Sequence, residues 1–416
     1  MILSAELTLA ILVGFVMAWA VGANDVANAM ASTVGSKTLT VRSAVIIAAI
    51  FEASGALLAS GQVTNMIRYG IVDIAIFSQQ LDHFVIGMLA ALMSAASWLI
   101  IATHYGLPVS TTHSIIGAVL GFGIVSVGAQ HILWLSVINI VFSWIVTPVL
   151  AIITAYCVFY GISYLVFSAK EPIQQANWFI PLCMSLLVLI FSGVTVFQGL
   201  STIGIEFSDW QKQIIVLSFA AVTYIAGWQY THRKLNKKRQ LSREEQLQAV
   251  EKKFGILSIM TAASMAYAHG SNDVANAIGP LAAIVQVLNT GVLTEGATIP
   301  TWVISLGASG IVLGLMMYGY KIMETVGNGI TQLTPSRGFT AQFSTSAIIV
   351  MASGLGYPVS TTQTMVGAIL GVGLARGMAA LNRKTIRSIL ISWLITLPAG
   401  AIFAAVYYLI CVRVLL

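Results

Sequence analysis

Charge is scarce along this chain. Only 14 acidic and 20 basic residues occur among 416, so charged residues make up 8% of the sequence, against about 25% in a soluble globular domain. With 58% hydrophobic residues and a mean hydropathy of +0.90, a soluble fold is excluded and an integral membrane protein is implied. Cysteine is nearly absent. Cys157, Cys183 and Cys411 stand far apart, which excludes a disulfide framework and a thiolate metal centre and leaves three small apolar packing residues. The first apolar run lacks a basic start, so no cleavable leader is expected. Short alternating segments with turn punctuation are missing too, which argues against a transmembrane β-barrel.

What the chain does have is apolar length. A helical crossing needs roughly 20 residues, and stretches of that order run over about 4–36, 40–61, 82–104, 112–128, 132–167, 178–198 and 212–231, then 254–289, 299–326, 338–354, 361–376 and 384–413. The expected fold is an all-α integral membrane protein of about 12 transmembrane segments. The first and eighth stretches are too long for one straight crossing and too short for two, so each is read as a helix broken at the polar motif it carries. Lys and Arg then set an orientation. By this count 17 of the 20 basic residues fall on one side, leaving Arg68, Lys212 and Arg413 on the other. The positive-inside rule makes the first side cytoplasmic and puts both termini outside. The net charge of +6 is thus a topological signal, and nucleic acid is not an expected partner. Its densest part, Arg233 to Lys253, reads as a short cytoplasmic helix in a linker over 232–253.

Two octapeptides repeat: Gly22-Ala23-Asn24-Asp25-Val26-Ala27-Asn28-Ala29 and Gly270-Ser271-Asn272-Asp273-Val274-Ala275-Asn276-Ala277 agree at seven of eight positions. A second motif follows in the same order, Pro108-Val109-Ser110-Thr111-Thr112 and Pro358-Val359-Ser360-Thr361-Thr362, with Ala53-Ser54-Gly55 and Ala308-Ser309-Gly310 between. The offsets are 248 and 250 residues. The octapeptides fall in segments one and eight, an odd step apart, so the halves enter the membrane from opposite sides. Such inverted-topology repeats are common in secondary transporters, with substrate and ions bound between them. The expected organisation is a first repeat over 1–167, a connecting pair over 168–231, the linker over 232–253 and a second repeat over 254–416.

A carboxylate in a membrane segment costs roughly 2.5–3.5 kcal/mol on the mildest insertion scale, so each motif must meet something polar. Asn24, Asp25, Asn28, Asn272, Asp273 and Asn276 supply hard oxygen ligands, which suit a small cation or a proton. Ser110, Thr111, Thr112, Ser360, Thr361 and Thr362 stand where helices start after a proline. A buried helix start with free amides and hydroxyls is a natural oxyanion site. No Lys or Arg lies within these motifs. An anion about 4 Å from a carboxylate is repelled by roughly 4 kcal/mol at an effective dielectric of about 20, so cations must bind before it or with it. If the motifs are neighbours, this is cation–anion symport. Glu52 lacks an acidic counterpart in the other half, where Gly307 stands, and is a candidate proton or cation site. His104, His113 and His269 flank the motifs; a structural hydrogen-bonding role is the default for each. The four-residue glycine spacing of Gly117-Ala118-Val119-Leu120-Gly121 and Gly367-Ala368-Ile369-Leu370-Gly371 permits close helix approach.

These motifs, with Phe51-Glu52-Ala53-Ser54-Gly55, resemble the inorganic phosphate transporter (PiT) family over both halves of the chain. The resemblance implies a phosphate symporter with twelve segments and inverted repeats in the plasma membrane. It implies sodium ligation around Asn24, Asp25, Asn272 and Asp273, phosphate contacts from the two Ser-Thr-Thr triplets, and a functional Glu52. Leu39-Thr40-Val41-Arg42 and Pro335-Ser336-Arg337-Gly338-Phe339-Thr340 look like the sodium-coupled branch. Two departures bear on the coupling ion: Gln342 stands where sodium-coupled relatives often carry Glu, and Gln363 follows the second triplet where His113 follows the first. The expected partners are inorganic phosphate, sodium ions and the lipid bilayer, with a homodimer as the candidate assembly and no cofactor. Alternatives are a proton-coupled phosphate or a sulfate permease on the same scaffold, and more remotely an ion channel. The triplets lack a repeated His partner, so an enzyme is not expected.

Overall fold

A computed structural model describes residues 5–105, 109–200, 205–235, 241–319, 334–377 and 383–416, apart from the side chains of 5, 26–28, 31, 198, 234–235, 319 and 383–390. The described chain is helical, with one isolated bridge between Val72 and Ile132. The first half contains α1 (Ala5–Asn24), α2 (Val26–Gly35), α3 (Val41–Ala59), α4 (Gly61–Tyr69), α5 (Leu81–His104), α6 (Thr111–Val127) and α7 (Trp134–Ile162). Then come α8 (Pro172–Val194) and α9 (Asp209–Leu235), followed by α10 (Arg243–Thr290), α11 (Thr301–Gly314), α12 (Pro335–Gly354), α13 (Thr361–Arg376) and α14 (Arg383–Leu415). Single π-turns extend α7, α8 and α11.

Eight of the described helices are long and apolar enough to cross a membrane, and α6 is a shorter apolar helix. The chain is a multi-pass membrane protein. The segments α10 and α12 fall outside that group of eight because polar residues interrupt their apolar runs, and α13, at 16 residues, is too short for it. They are also enclosed by protein, with nearly every residue of α10 from Thr261 to Val287 buried. Polar composition is affordable in a membrane helix that neighbouring helices surround.

The packing exchanges elements between halves. Helix α1 lies on α11 while α3 lies on α10, and α6 lies on α14 while α7 lies on α13. Glycine makes each approach close. Gly22 faces the backbone of Ile311 and Gly314 that of Trp19, while Gly55 faces Tyr267 and Gly270 faces Glu52. Gly117 and Gly121 meet the carbonyls of Leu397 and Ala401, and Gly367 and Gly371 meet those of Pro148 and Ile152. The spaced glycines are therefore a packing device. Helices α8 and α9 pair with each other.

Two expectations are corrected. The eighth segment is not broken: α10 runs for 48 residues through Asn272 and Asp273, with even Pro280 inside it. Its polar side chains find partners on other helices, so the backbone has no need to open. The first segment is interrupted only at Asp25, whose φ of −92° and ψ of −34° remain helical and whose N–H still bonds Val21 O at 2.9 Å. The linker helix is also not separate. Residues 236–240 lie outside the described set, and α10 begins at Arg243 with a capping box in which Ser242 accepts from the Glu245 N–H and the Glu245 carboxylate accepts from the Ser242 N–H.

Candidate functional site

Proline and hydroxyl residues set the two helix starts. Ser110 and Ser360 are extended, with φ and ψ of −94° and 119° and of −85° and 110°. Their hydroxyl oxygens accept the N–H groups of His113 at 3.2 Å and Gln363 at 3.3 Å. Each serine thus caps its helix and retains a proton to donate. Pro108 lies outside the described residues.

Thr112 and Thr362, behind these caps, meet the aspartates of the opposite half. Thr112 Oγ1 is 3.3 Å from Asp273 Oδ1, and Thr362 Oγ1 is 3.3 Å from Asp25 Oδ1. Thr361 donates to Asp273 Oδ2 at 2.8 Å. The single proton of Thr112 is also within reach of Val359 O at 3.0 Å. Asn276 Nδ2 approaches Asp273 Oδ1, Thr111 and Thr112 at 3.1, 3.2 and 3.3 Å. The asparagines that precede the aspartates have equivalent partners. Asn24 donates to Thr103 at 2.6 Å and Asn272 to Ser353 at 2.9 Å, with a further bond from Asn272 to Tyr357 O at 3.2 Å. The side chain of Asn28 lies outside the described residues.

One oxygen each from Asp25 and Asp273 and a ring nitrogen of His269 lie within 4.8 Å of one another, all buried. Two ionised carboxylates at that spacing repel by about 3.5 kcal/mol at an effective dielectric of about 20. Among the described residues Asp25 Oδ2, Asn272 Oδ1 and Asn276 Oδ1 are buried without a hydrogen-bond partner. Oxygen atoms in excess of donors are what a bound cation satisfies.

Glu52 joins this centre through His269. Nδ1 of His269 is 2.7 Å from Glu52 Oε1, and Nε2 is 3.0 Å from Asp273 Oδ2. The contact of Gly270 with the Glu52 backbone brings α3 near enough for this to occur. Gln342 is buried elsewhere, where its amide donates to Ala29 O at 2.6 Å and its carbonyl accepts from Thr261 at 3.0 Å, with Thr33 at 3.3–3.4 Å. His113 stacks on Trp144 at 3.8 Å, and His104 packs edge-on against Tyr105.

Sequence reasoning missed Thr103 and Ser353 as partners of the asparagines. They stand 250 residues apart, the same offset as the hydroxyl motifs, and that register was the available signal. It also left His269 as a flanking residue, although an i,i+4 spacing to Asp273 places both on one helix face.

A model of the phosphate transporter family matches residues 21–404. A Haemophilus influenzae protein named as a phosphate permease is 47% identical over 396 residues, covering 95% of this chain and 94% of that one. The chloroplastic inorganic phosphate transporter 2-1 of Arabidopsis thaliana is 39% identical, over 97% of this chain and 72% of the relative. Among solved structures, "The sodium-dependent phosphate transporter" superposes with a TM-score of 0.92 at 39% identity, covering 99% of this chain and 100% of that one. These relatives are transporters and not enzymes, and a family match that runs through both octapeptides and both hydroxyl motifs places this chain in the phosphate transporter family.

Proposed function

We propose that the protein is a secondary active symporter that moves inorganic phosphate across the plasma membrane with sodium ions by alternating access. The observation that carries this reading is the reciprocal contact of Thr112 with Asp273 and of Thr362 with Asp25. A threonine hydroxyl has one proton to give. While the carboxylates are free of cations, they attract the protons of Thr112, Thr361 and Thr362. A cation held by Asp25, Asp273 and the oxygens of Asn24, Asn272 and Asn276 competes for the same lone pairs. The hydroxyls then turn their protons to an oxyanion at the two helix starts, where Ser110, Thr111 and Ser360 add further donors. The cation offsets the roughly 3–4 kcal/mol of repulsion that an anion would meet at this spacing, so binding is ordered, cation first.

The same reading gives twelve crossings in two inverted repeats, both termini outside and the linker cytoplasmic. The reciprocal pairing of helices between halves supports the inversion, and the distribution of Lys and Arg supports the orientation. Glu52 acts through His269 to hold Asp273 in place. Gln342, a neutral amide already satisfied by Ala29, Thr33 and Thr261, contributes closure of the bundle in place of a further charge.

The test is uptake of labelled phosphate into proteoliposomes under an imposed sodium gradient, with a proton gradient and excess sulfate as controls. Accumulation driven by sodium and resistant to sulfate supports the reading. Uptake indifferent to both gradients would refute symport, and uptake driven by protons alone would reassign the coupling ion.

A further inference from the structure

Arg68, on α4, is 2% exposed and forms no salt bridge among the described residues. Neutral oxygens hold its guanidinium instead. Nη1 donates to Ala297 O at 2.9 Å and Asn65 Oδ1 at 3.3 Å, and Nη2 donates to Gln286 Oε1 at 2.7 Å. The Tyr69 hydroxyl donates to the same Gln286 oxygen, and the guanidinium carbon lies 4.5 Å from the centre of the Tyr69 ring. Gln286 Nε2 completes the knot by donating to Thr294 O at 3.0 Å and Thr294 Oγ1 at 3.1 Å. Arg68 Nε is buried with no partner among the described residues.

The position of this knot gives it a role. Arg68 and Tyr69 belong to the first half of the chain, while Gln286, Thr294 and Ala297 belong to the second. Gln286 is thirteen residues beyond Asp273 on the unbroken α10, about 20 Å along its axis, at the end away from the basic linker. Twelve residues before Asp273, about 18 Å the other way, Thr261 joins the Gln342 contact, which ties α2 of the first half to α10 and α12 of the second. Polar ties between halves therefore lie on both sides of the aspartates. Beneath the Arg68 knot, Gly279 packs against Ile67 and Thr64 of α4, and Ala283 is buried one turn further on.

We propose that Arg68 is the positioning residue of the outward gate, a latch on Gln286 and the 294–297 backbone that must release before phosphate and cations can enter. This rests on the symporter reading above and on its assignment of the linker to the cytoplasm. The chemistry suits a latch that opens. Charge-assisted bonds are stronger than neutral ones, so the fork holds the halves together. Yet a buried cation with no salt bridge among the described residues has lost its hydration, and water entering the gate returns it. A neutral side chain at position 68 removes the fork, and an apolar one at position 286 removes both its acceptor and the bonds that Gln286 donates to Thr294, so each weakens the closed state.

Breaking the latch from either side makes the test. In intact cells expressing the full chain with its native cysteines replaced, Ala283→Cys is exposed to a membrane-impermeant thiol reagent from outside, and phosphate uptake is measured in parallel with surface abundance. Arg68→Gln and Gln286→Met each raise the labelling rate by about fivefold or more, the scale of one lost hydrogen bond, and the double variant labels little faster than either alone because both break one latch. Equal labelling of wild type and both single variants at equal surface abundance overturns the latch, as does a double variant whose effects simply add. If Arg68→Gln does not reach the membrane, the near-isosteric Gln286→Met decides alone. Labelling is read without transport, so a chain that moved no phosphate would still report on the gate.

Discussion

Asp25 and Asp273 occupy matching places in two near-identical motifs and have unlike surroundings. Asp273 is tied through His269 to Glu52, whereas the place matching Glu52 in the other half is Gly307, and Asp25 accepts from Thr362. Asp273 thus carries a second task beside cation ligation, that of holding its neighbours. Asp25→Asn is expected to raise the sodium concentration for half-maximal uptake by about tenfold or more, the equivalent of losing one charged ligand contact, with residual transport. Asp273→Asn is expected to abolish transport, because it also leaves His269 and Glu52 without their third member. Sodium titration of phosphate uptake distinguishes the two, and equal effects would remove the asymmetry. At the hydroxyls, Thr362→Val should lower uptake by about tenfold or more while Thr362→Ser preserves most of it, since only the donated proton matters. If valine transports as well as serine, the hydroxyl has no part in coupling.

Helices show where reading a sequence succeeds and where it stops. The repeat register is legible from short motifs, and it sets Asn24 beside Asn272 and one triplet beside the other. Most helix positions followed from apolar length. The break expected in α10 did not occur, because a polar side chain in a membrane helix can be satisfied across an interface as well as by its own backbone, and composition does not tell these apart. The short helix α4 falls between two apolar stretches, since a helix of 9 residues is too short for a crossing and gives no hydropathy signal. The cross-half contacts of Thr112 and Thr362 depend on how α6 and α13 are docked, which no local pattern encodes. Docking itself leaves a signature in glycine. A side chain at Gly121 would drive into the Ala401 carbonyl, and one at Gly371 into that of Ile152, where backbone has no rotamer to yield. Gly121→Val and Gly371→Val are each expected to destabilise the protein by about 1–3 kcal/mol or more, read as lower thermal unfolding temperatures in detergent, while valine at Gly161, which has open space around it, is tolerated.

For the whole molecule, two halves that exchange helices and meet at a pair of aspartates form one coupled unit. Opening such a bundle at one end while the other stays tied is the simplest use of polar knots on either side of α10. The orientation carries its own check. A cysteine introduced at Glu244, at the start of α10, should react with an impermeant reagent only from the cytoplasmic face, and labelling from outside would invert the topology. Whether cation binding releases the threonine hydroxyls to hold phosphate is read by equilibrium binding of labelled phosphate to the purified protein across sodium concentrations at fixed ionic strength. Linkage requires that if sodium raises phosphate affinity, phosphate raises sodium affinity by the same factor. Phosphate affinity is expected to rise by about tenfold or more with sodium, reciprocated for sodium by phosphate and lost in Asp25→Asn. Phosphate binding of equal affinity with and without sodium would contradict it.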